Sequence, residues 1–279
     1  MKHIYVNLKR FDVPKELGGV NSISAVNDWA AHIINAVQEK LALYSETVFT
    51  IFFPEAHILA ARAAKKRDSS LRIGCQGVFR EDIVPGGNFG AFTTNRPAAA
   101  ARALGCEAAL IGHCEERKDL SWILAEAGWN DDDAIQRILN KEALCAVNQG
   151  LKVLYCVGET ADQQEEWEDV LGRQLQVGLN GLNAVKGDQI AIAYEPVWAI
   201  GPGKTPPDRA YIEKIARFIK DETDGLPVVY GGGLKADNAA MLASIPEIDG
   251  GLIALTRFSG DIGFYPDEYL EIIRLYIGG

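Results

Sequence analysis

Eight short apolar runs, separated by longer amphipathic stretches, are the feature that most restricts how this chain can fold. The runs are continuous rather than alternating, which is typical of parallel strands covered on both faces. They lie at residues 3–7, 47–52, 72–76, 108–111, 152–156, 190–194, 227–230 and 250–254. Eight such units in 279 residues predict an α/β fold, a closed (β/α)8 barrel in which residues 1–279 form a single domain.

The stretches between the runs predict helices, and several begin with an acidic or hydroxyl residue that suits the positive end of a helix dipole. They lie at residues 24–43, 55–66, 95–104, 131–149, 162–180, 208–223, 236–242 and 266–277. The alternative architecture is an open, doubly wound sheet. That fold would need a glycine-rich phosphate turn after the first strand, and residues 7–12 contain no glycine.

Composition narrows the class of partner. A net charge of −10 argues against nucleic acid or an anionic membrane surface as the main partner, but a small anionic substrate is still compatible with it. The five cysteines show neither a CxxC pair nor zinc spacing, and the N-terminal residues lack the apolar core of a signal peptide. We therefore expect a cytoplasmic protein with reduced thiols.

Polar side chains and a glycine run follow the predicted strands at their carboxyl ends, which meet at one rim of such a barrel. Each one alone is compatible with a solvated turn, a core histidine or a tight connection, but together they favour an active site. They are Asn7, Lys9, His113, Glu115, Glu195 and the glycines 231–233.

These groups suit proton abstraction next to a carbonyl. A carboxylate removes the proton, and a neutral imidazole, an ammonium and an amide stabilise the enediolate that forms. Backbone N–H groups of a glycine run would hold a phosphate away from the reacting carbons. The reaction needs no ion, and the histidines and carboxylates lack ligand spacing, so we expect no metal and no cofactor.

The chain resembles the triosephosphate isomerase family across nearly its whole length. The most specific match is residues 193–204, AYEPVWAIGPGK. The other matching segments are Asn7-Leu8-Lys9, Gly90-Ala91-Phe92-Thr93, Ile111-Gly112-His113-Cys114-Glu115, Cys156-Val157-Gly158-Glu159 and Tyr230-Gly231-Gly232. They occur in the family's order.

The resemblance implies the family's well-known acid–base roles. Glu195 would be the base, His113 the electrophile and Lys9 the cationic stabiliser. Asn7 would be a further hydrogen-bond donor, and Glu115 an oriented carboxylate beside Lys9.

The resemblance also implies functions for the surrounding loops. Residues 196–204 would form a closing lid. Gly201, Gly232 and Gly233 would take part in binding the substrate's phosphate. Thr93 would reach into the site of a second subunit, so we expect a homodimer or a higher homo-oligomer.

The chain departs from the family at the loops of the phosphate end. Gly233 replaces a usual serine, and residues 254–258 (ALTRF) replace a usual Gly-Gly-Ala-Ser segment, with Leu255 where a glycine N–H would bind phosphate. Thr256 and Arg257 offer a hydroxyl and a guanidinium for phosphate or substrate hydroxyls. Elsewhere Pro202 replaces a threonine in the lid, Glu116-Arg117 replaces two arginines, and an insertion is predicted at residues 119–130.

These departures predict a changed substrate. The ALTRF pattern resembles the branch of the family that interconverts L-erythrulose 1-phosphate and D-erythrulose 4-phosphate in tetritol catabolism, and this is the expected function. The alternative is an ordinary triosephosphate isomerase with drifted loops. A barrel that only binds a partner is a more remote alternative, because Lys9, His113 and Glu195 are intact. A Schiff-base aldolase is another, because it needs a lysine inside a strand, whereas Lys9 follows its strand and Lys152 opens one on the wrong face.

Overall fold

A computed structural model describes residues 1–182, 189–201 and 203–278. Its eight parallel strands close into a barrel in chain order, with the last strand pairing to the first. The strands are β1 (Lys2–Asn7), β2 (Thr47–Phe53), β3 (Arg72–Cys75), β4 (Ala108–Ile111), β5 (Lys152–Val157), β6 (Ile190–Tyr194), β7 (Val228–Tyr230) and β8 (Gly250–Ile253). The predicted (β/α)8 barrel is confirmed, and every strand lies within about one residue of its predicted bounds.

Helices surround the barrel. In the described ranges they are α1 (Trp29–Leu41), α2 (Glu55–Ala64), α3 (Ala98–Ala103), α4 (Cys114–Glu126), α5 (Asp132–Asn148), α6 (Trp167–Gly178), α7 (Arg209–Glu222), α8 (Ala239–Ala243) and α9 (Pro266–Ile277). Short 3-10 helices occur at Lys15–Leu17, Val26–Asp28, Ala161–Glu166 and Val197–Ala199. Among all these, no helix combines the length and the apolarity needed to cross a bilayer.

Helix α4 corrects the sequence prediction, which treated residues 119–130 as an insertion without assigned structure. None of its residues is fully buried, and Leu120 and Leu124 pack against the core only partly buried, so its apolar stripe is short and gives a weak periodic signal. Its N-terminus is instead stabilised by polar groups: the side chain of His113 accepts the N–H of Glu115, and Glu115 and Glu116 lie in the first turn.

Apolar side chains fill two layers. One cluster inside the barrel contains Tyr5, Phe52, Leu110, Leu154 and Leu252, among others, and a larger cluster lies between the strands and the helices. Both faces of each strand are therefore buried, which explains the continuous apolar runs in the sequence. Because all eight strands are parallel, their carboxyl ends open at one mouth.

Candidate active site

Glu195 follows β6 directly, and only 2% of its side chain is exposed. Its N–H donates to the carbonyl of Val157 at 2.8 Å, and its Oε2 accepts the N–H of Cys114 at 2.8 Å. Burial raises the pKa of this carboxyl to about 7, although the Cys114 N–H and the charges of Arg117 and Lys9 oppose the shift. A carboxyl that titrates near neutral pH suits a general base.

His113 lies at the N-terminus of α4, and its Nε2 is 3.3 Å from Oε1 of Glu195. Its Nδ1 accepts the N–H of Glu115 at 3.2 Å, so in the neutral ring the proton is on Nε2. Burial, followed by the Lys9 ammonium, lowers the pKa of the imidazole to about 4 against the opposing charge of Glu115. The ring is therefore neutral at pH 7 and can donate a hydrogen bond from Nε2.

Lys9 follows β1 with a φ of 42°, a left-handed conformation that strains a residue other than glycine. Asn7 Oδ1 accepts the Lys9 N–H at 3.0 Å, and Gln76 Nε2 donates to Asn7 Oδ1 at 3.2 Å and to the Lys9 carbonyl at 3.0 Å. The Lys9 ammonium pairs with Oε1 of Glu115 at 2.6 Å. These bonds hold the strained turn in place. The charge of the Lys9 ammonium lowers the pKa values of both His113 and Glu195.

The turn that presents His113 is fixed by the next two charged residues. Glu116 Oε2 accepts the N–H of Gly112 at 2.6 Å, and Arg117 Nε donates to the Gly112 carbonyl at 2.8 Å. Arg117 also donates to the carbonyl of Cys156 at 2.7 Å, which ties the turn to β5. The Glu116-Arg117 pair, noted in the sequence only as a departure, thus positions the imidazole.

The first half of the predicted lid is anchored to one carboxylate oxygen. Trp198 Nε1 donates to Oε1 of Glu159 at 2.7 Å. The hydroxyls of Tyr194 and Tyr211 donate to the same oxygen at 2.9 Å and 3.1 Å. The indole is thereby held to the barrel rather than to solvent.

The second half of the lid is more open. Gly201 is exposed, and a side chain placed there would meet no atom within 4 Å. Pro202 lies outside the described residues. Lid closure and a phosphate-binding role for Gly201 stay predictions.

The glycine run after β7 begins against the carboxyl of the candidate base. A Cβ built on Gly231 would lie 2.7 Å from Cγ of Glu195, a distance that real side chains do not tolerate. Gly232 and Gly233 continue the run, half-buried at the mouth. Only glycine therefore fits at position 231 while Glu195 keeps its place.

The eighth loop does not join the catalytic cluster. Arg257 Nε donates to Oε1 of Glu268 at 2.7 Å, and Thr256 Oγ1 donates to Oε2 of the same carboxylate at 3.0 Å. Glu268 lies in the first turn of α9, where it offers two acceptor oxygens to this pair. Substrate binding by Thr256 and Arg257 stays a prediction, and it would require both side chains to leave Glu268.

Three potential metal-ligand atoms, one each from His113, Cys114 and Glu195, lie within 4.8 Å of one another. The ring nitrogen that faces Glu195 carries a proton, however, because Nδ1 is occupied as an acceptor. A metal at Nε2 would need that proton removed or the bond to the Glu115 N–H broken. The geometry fits proton transfer better than metal binding, and the expected metal-free site stays a prediction.

Two further features of the barrel rim are a cavity and an exposed threonine. A cavity of about 870 Å³ opens beside Lys9 and is lined by Trp122 of α4 and by Val197 and Ile200 of the lid segment. Thr93, predicted to reach a second subunit, is exposed in the loop before α3. The single chain leaves its role a prediction.

Sequence reasoning missed three positioning residues: Gln76, Arg117 and Glu159. Gln76 ends the third predicted strand at the same rim as Asn7, so its position was a usable signal. Arg117 and Glu159 act through partners 39 residues away in sequence, Cys156 and Trp198 respectively, and no local pattern reveals such pairs.

Comparison with known proteins agrees with this geometry. The family profile described as "Triosephosphate isomerase" matches residues 23–273. The chain belongs to the triosephosphate isomerase family. The triosephosphate isomerase of Chloroherpeton thalassium is 35% identical over 217 residues, covering 74% of this chain and 77% of that protein. The triosephosphate isomerase of Lactobacillus helveticus is 32% identical over 257 residues, covering 88% and 91%.

A solved structure supports the fold independently. The crystal structure of triosephosphate isomerase from Bartonella henselae superposes with a TM-score of 0.72, covers 99% of each chain and is 24% identical. As a member of the triosephosphate isomerase family the chain is an isomerase of the intramolecular oxidoreductase class.

Proposed function

We propose that this protein interconverts two isomeric sugar phosphates by moving a proton between adjacent carbons through an enediolate. The observation that carries the proposal is the pairing of a buried carboxyl whose pKa is raised to about 7 with a neutral imidazole 3.3 Å away. These are the base and the electrophile that an enolisation requires, each in the correct protonation state at neutral pH.

The proposed reaction begins when Glu195 takes a proton from the carbon next to the carbonyl. His113 Nε2–H and the Lys9 ammonium stabilise the negative charge that develops on the carbonyl oxygen. The side-chain N–H groups of Asn7 make no hydrogen bond within the described residues and can serve the same oxygen or its neighbour. The proton of the neighbouring hydroxyl moves to the former carbonyl oxygen, and Glu195 returns its proton to the former carbonyl carbon, which completes the isomerisation without a net change in oxidation state.

Triose phosphates are the first candidate substrate, the pair glyceraldehyde 3-phosphate and dihydroxyacetone phosphate. The support comes from the names of the relatives described above, which are triosephosphate isomerases at 32–35% identity. The sequence prediction favoured the four-carbon pair instead, and the names of the relatives do not support that finer reading.

Four-carbon tetrulose phosphates are the second candidate substrate, and the support for them comes from the sequence of the eighth loop. Leu255 occupies the position where the family uses a glycine N–H, and a bulky side chain keeps a phosphate from that backbone. Since groups distant from the reacting carbons set substrate choice, a change in this loop beside an unchanged Lys9, His113 and Glu195 favours a different sugar with the same chemistry.

A direct comparison of kcat/KM decides between the two. The protein should be produced in a host lacking triosephosphate isomerase and supplied with glyceraldehyde 3-phosphate or L-erythrulose 1-phosphate. A preference above about tenfold for one substrate assigns it. Glu195→Gln, purified in parallel, should lose whichever activity is present and so controls for contaminating enzyme. Absence of turnover with both substrates contradicts the proposal.

We also propose that the working enzyme is a cytoplasmic homo-oligomer. The exposed loop before α3 carries Phe89 at 86% and Val84 at 57% exposure, which supports burial of this loop against a second copy. The five cysteines form no disulfide, in keeping with a reducing compartment. Light scattering of the purified protein tests the oligomer.

A further inference from the structure

A buried carboxyl on α5, that of Glu142, takes no part in the site described above. Only 6% of this residue is exposed. Its Oε2 is buried, and no N–H or hydroxyl group in the described residues donates to it. A carboxylate oxygen that has lost water without gaining a donor is unfavourable. A carboxyl in this position is therefore more stable with a proton than without one.

Glu116, in the first turn of α4, is the partner of this carboxyl. A side-chain hydrogen bond joins Glu116 and Glu142. An ionised carboxylate has acceptor oxygens only, so two ionised carboxylates cannot form such a bond. The pair must therefore hold a proton.

The proton of the pair lies on Glu142. Oε2 of Glu116 accepts the N–H of Gly112 at 2.6 Å, a short bond typical of an ionised acceptor. Burial, followed by the charge of Glu116, raises the pKa of Glu142 to about 10. Burial also raises the pKa of Glu116, but the hydrogen bonds from Glu142 and from the Gly112 N–H oppose that shift. At neutral pH Glu142 is thus the donor and Glu116 the acceptor.

The charged groups around the pair do not replace this proton. Three guanidinium groups lie nearby, and each is engaged elsewhere: Arg80 over the ring of Phe79, Arg96 with Glu55 and the Gly77 carbonyl, and Arg117 with Gln136 and two carbonyls. The other titratable groups near the pair are Tyr155 and Cys156 on β5, Cys145 on α5, and the carboxylates Glu81 and Asp82 near Cys145. Within the described residues, no cation forms an ion pair with Glu116 or Glu142. A second negative charge would therefore be left without compensation.

The hydrogen bond from Gly112 connects this pair to the catalytic histidine. Gly112 directly precedes His113 and has a φ of 76°, a left-handed conformation that favours glycine. The turn that it forms directs the imidazole so that Nε2 of His113 lies 3.3 Å from Oε1 of Glu195. Any rotation of the turn would move the N–H that donates to the substrate's carbonyl oxygen.

Glutamate at position 116 makes this arrangement a feature of this chain. The family usually has an arginine there, and a guanidinium has no acceptor atom for the Gly112 N–H. The carboxylate of Glu116 accepts that N–H, and the proton on Glu142 prevents a second negative charge beside it. Glu116 and Glu142 thus form a matched pair.

We propose that Glu142 is a positioning residue for His113: its carboxyl O–H donates to the Glu116 carboxylate, which in turn holds the Gly112 N–H and the turn before the imidazole. The inference rests on the proposed function for the reaction in which His113 takes part. It makes the geometry of the electrophile depend on a proton that is not transferred in that reaction.

The dependence of stability on pH tests where the proton lies. In the unfolded chain Glu142 loses its proton near the ordinary glutamate pKa of about 4.3, whereas in the folded protein it keeps the proton up to a pKa of about 10. Between these values the folded state binds one proton more than the unfolded state, so the protein loses stability as pH rises. Glu142→Gln keeps a donor for Glu116 but cannot ionise. The unfolding constant of the wild-type protein, divided by that of Glu142→Gln, should rise about tenfold per pH unit between pH 6 and 9 in chemical denaturation.

Glu126→Gln is the matched control for this measurement. It removes an exposed carboxyl at the end of α4, the helix that also carries Glu116. The unfolding constant of the wild-type protein, divided by that of Glu126→Gln, should stay constant over the same range of pH.

Glu142→Leu and Glu142→Met test the positioning role. Each fills a similar volume without offering a donor, so Glu116 and the Gly112 turn should shift. We expect kcat on the better substrate to fall by about tenfold, because a small displacement of a catalytic group slows the reaction, while KM stays within about threefold. The NMR signal of His113 Nε2, identified by its loss in His113→Gln, should move in both variants. Glu142→Gln should restore the signal and most of kcat.

The outcomes separate this inference from the proposed function. If the wild-type protein isomerises a sugar phosphate but Glu142→Leu and Glu142→Met match it in kcat and in the His113 signal, the inference is overturned and the function stands. A ratio of unfolding constants for wild-type and Glu142→Gln that does not change from pH 6 to 9 also overturns the inference. If that ratio rises and the His113 signal moves as expected, yet neither sugar phosphate is isomerised, the function is overturned and the positioning pair stands.

Discussion

The two halves of the barrel mouth are built differently. On the side of β1, β4 and β6, Lys9, His113 and Glu195 are already bonded to one another or to the backbone. On the side of β7 and β8, the N–H groups of Gly232 and Gly233 have no acceptor in the described residues, and the side chains of Thr256 and Arg257 bond to Glu268. The first half is held by its own hydrogen bonds, whereas the second half keeps backbone donors without an acceptor.

The difference has a physical reason. Groups that stabilise a developing charge are effective when they are fixed before the reaction, because no reorganisation is then required. Groups that choose a substrate act by contacts to its distant parts, and these can change while the reaction stays the same. The reacting half, on the side of β1, β4 and β6, keeps Lys9, His113 and Glu195 of the family's motifs, whereas the binding half, on the side of β7 and β8, departs from them at Gly233 and at residues 254–258.

The largest expected effect is in the reacting half. Glu195→Asp withdraws the carboxylate by about one methylene, and a misplacement on the order of 1 Å can lower the rate by roughly a hundredfold. We expect that loss in kcat with little change in KM, measured by steady-state kinetics on the better substrate. The control Glu268→Asp removes the same methylene in the other half and should leave kcat nearly unchanged. If Glu195→Asp turns over substrate at the wild-type rate, Glu195 is not the base. The assignment of its side of the mouth as the reacting half is then wrong.

The next largest expected effect is the dependence of kcat/KM on pH. The base acts only when ionised, and its pKa is raised to about 7 by burial, so kcat/KM should fall about tenfold per pH unit as pH drops below 7. The imidazole, with its pKa lowered to about 4, stays neutral over that range and adds no second limb. A profile of kcat/KM from pH 5 to 9 measures this. A profile that stays flat down to pH 5 would mean that burial does not raise the pKa of this carboxyl.

The smallest effect is expected at the edge of the binding half. Arg257 pairs with Glu268, and about a third of each side chain is exposed, so Arg257→Met should change the free energy of unfolding only slightly. Because the guanidinium is occupied, KM should change by less than about threefold. A tenfold rise in KM would show that Arg257 leaves Glu268 and contacts the substrate, so that Arg257 would count among the substrate-binding residues.

Much of the fold could be predicted from the sequence, because parallel strands buried on both faces produce continuous apolar runs. The strand bounds followed those runs closely. Helix α4 was missed because its periodic signal is weak: Leu120 and Leu124 pack against the core only partly buried, and no residue of the helix is fully buried. Its start depends on His113, whose capping role is visible only once β4 and the helix are placed together.

The site could be predicted to the extent that it follows motifs. Lys9, His113 and Glu195 lie in segments that match the family's motifs, and the resemblance implies their catalytic roles. Arg117 and Glu159 could not be assigned, because each acts on backbone or side-chain atoms from another strand or loop. The conformation of the eighth loop also depends on Glu268, 11 residues after Arg257, which no local pattern connects to it.

Gly231 restricts how this enzyme can be re-engineered. A directed-evolution library that randomises the seventh loop should leave that codon fixed, since any added carbon would press on the Glu195 side chain. A Cβ built on Gly232 would lie 2.4 Å from the Tyr230 hydroxyl, so this codon should stay fixed as well. Variation that leaves the catalytic carboxylate undisturbed is therefore confined to positions beyond these two glycines.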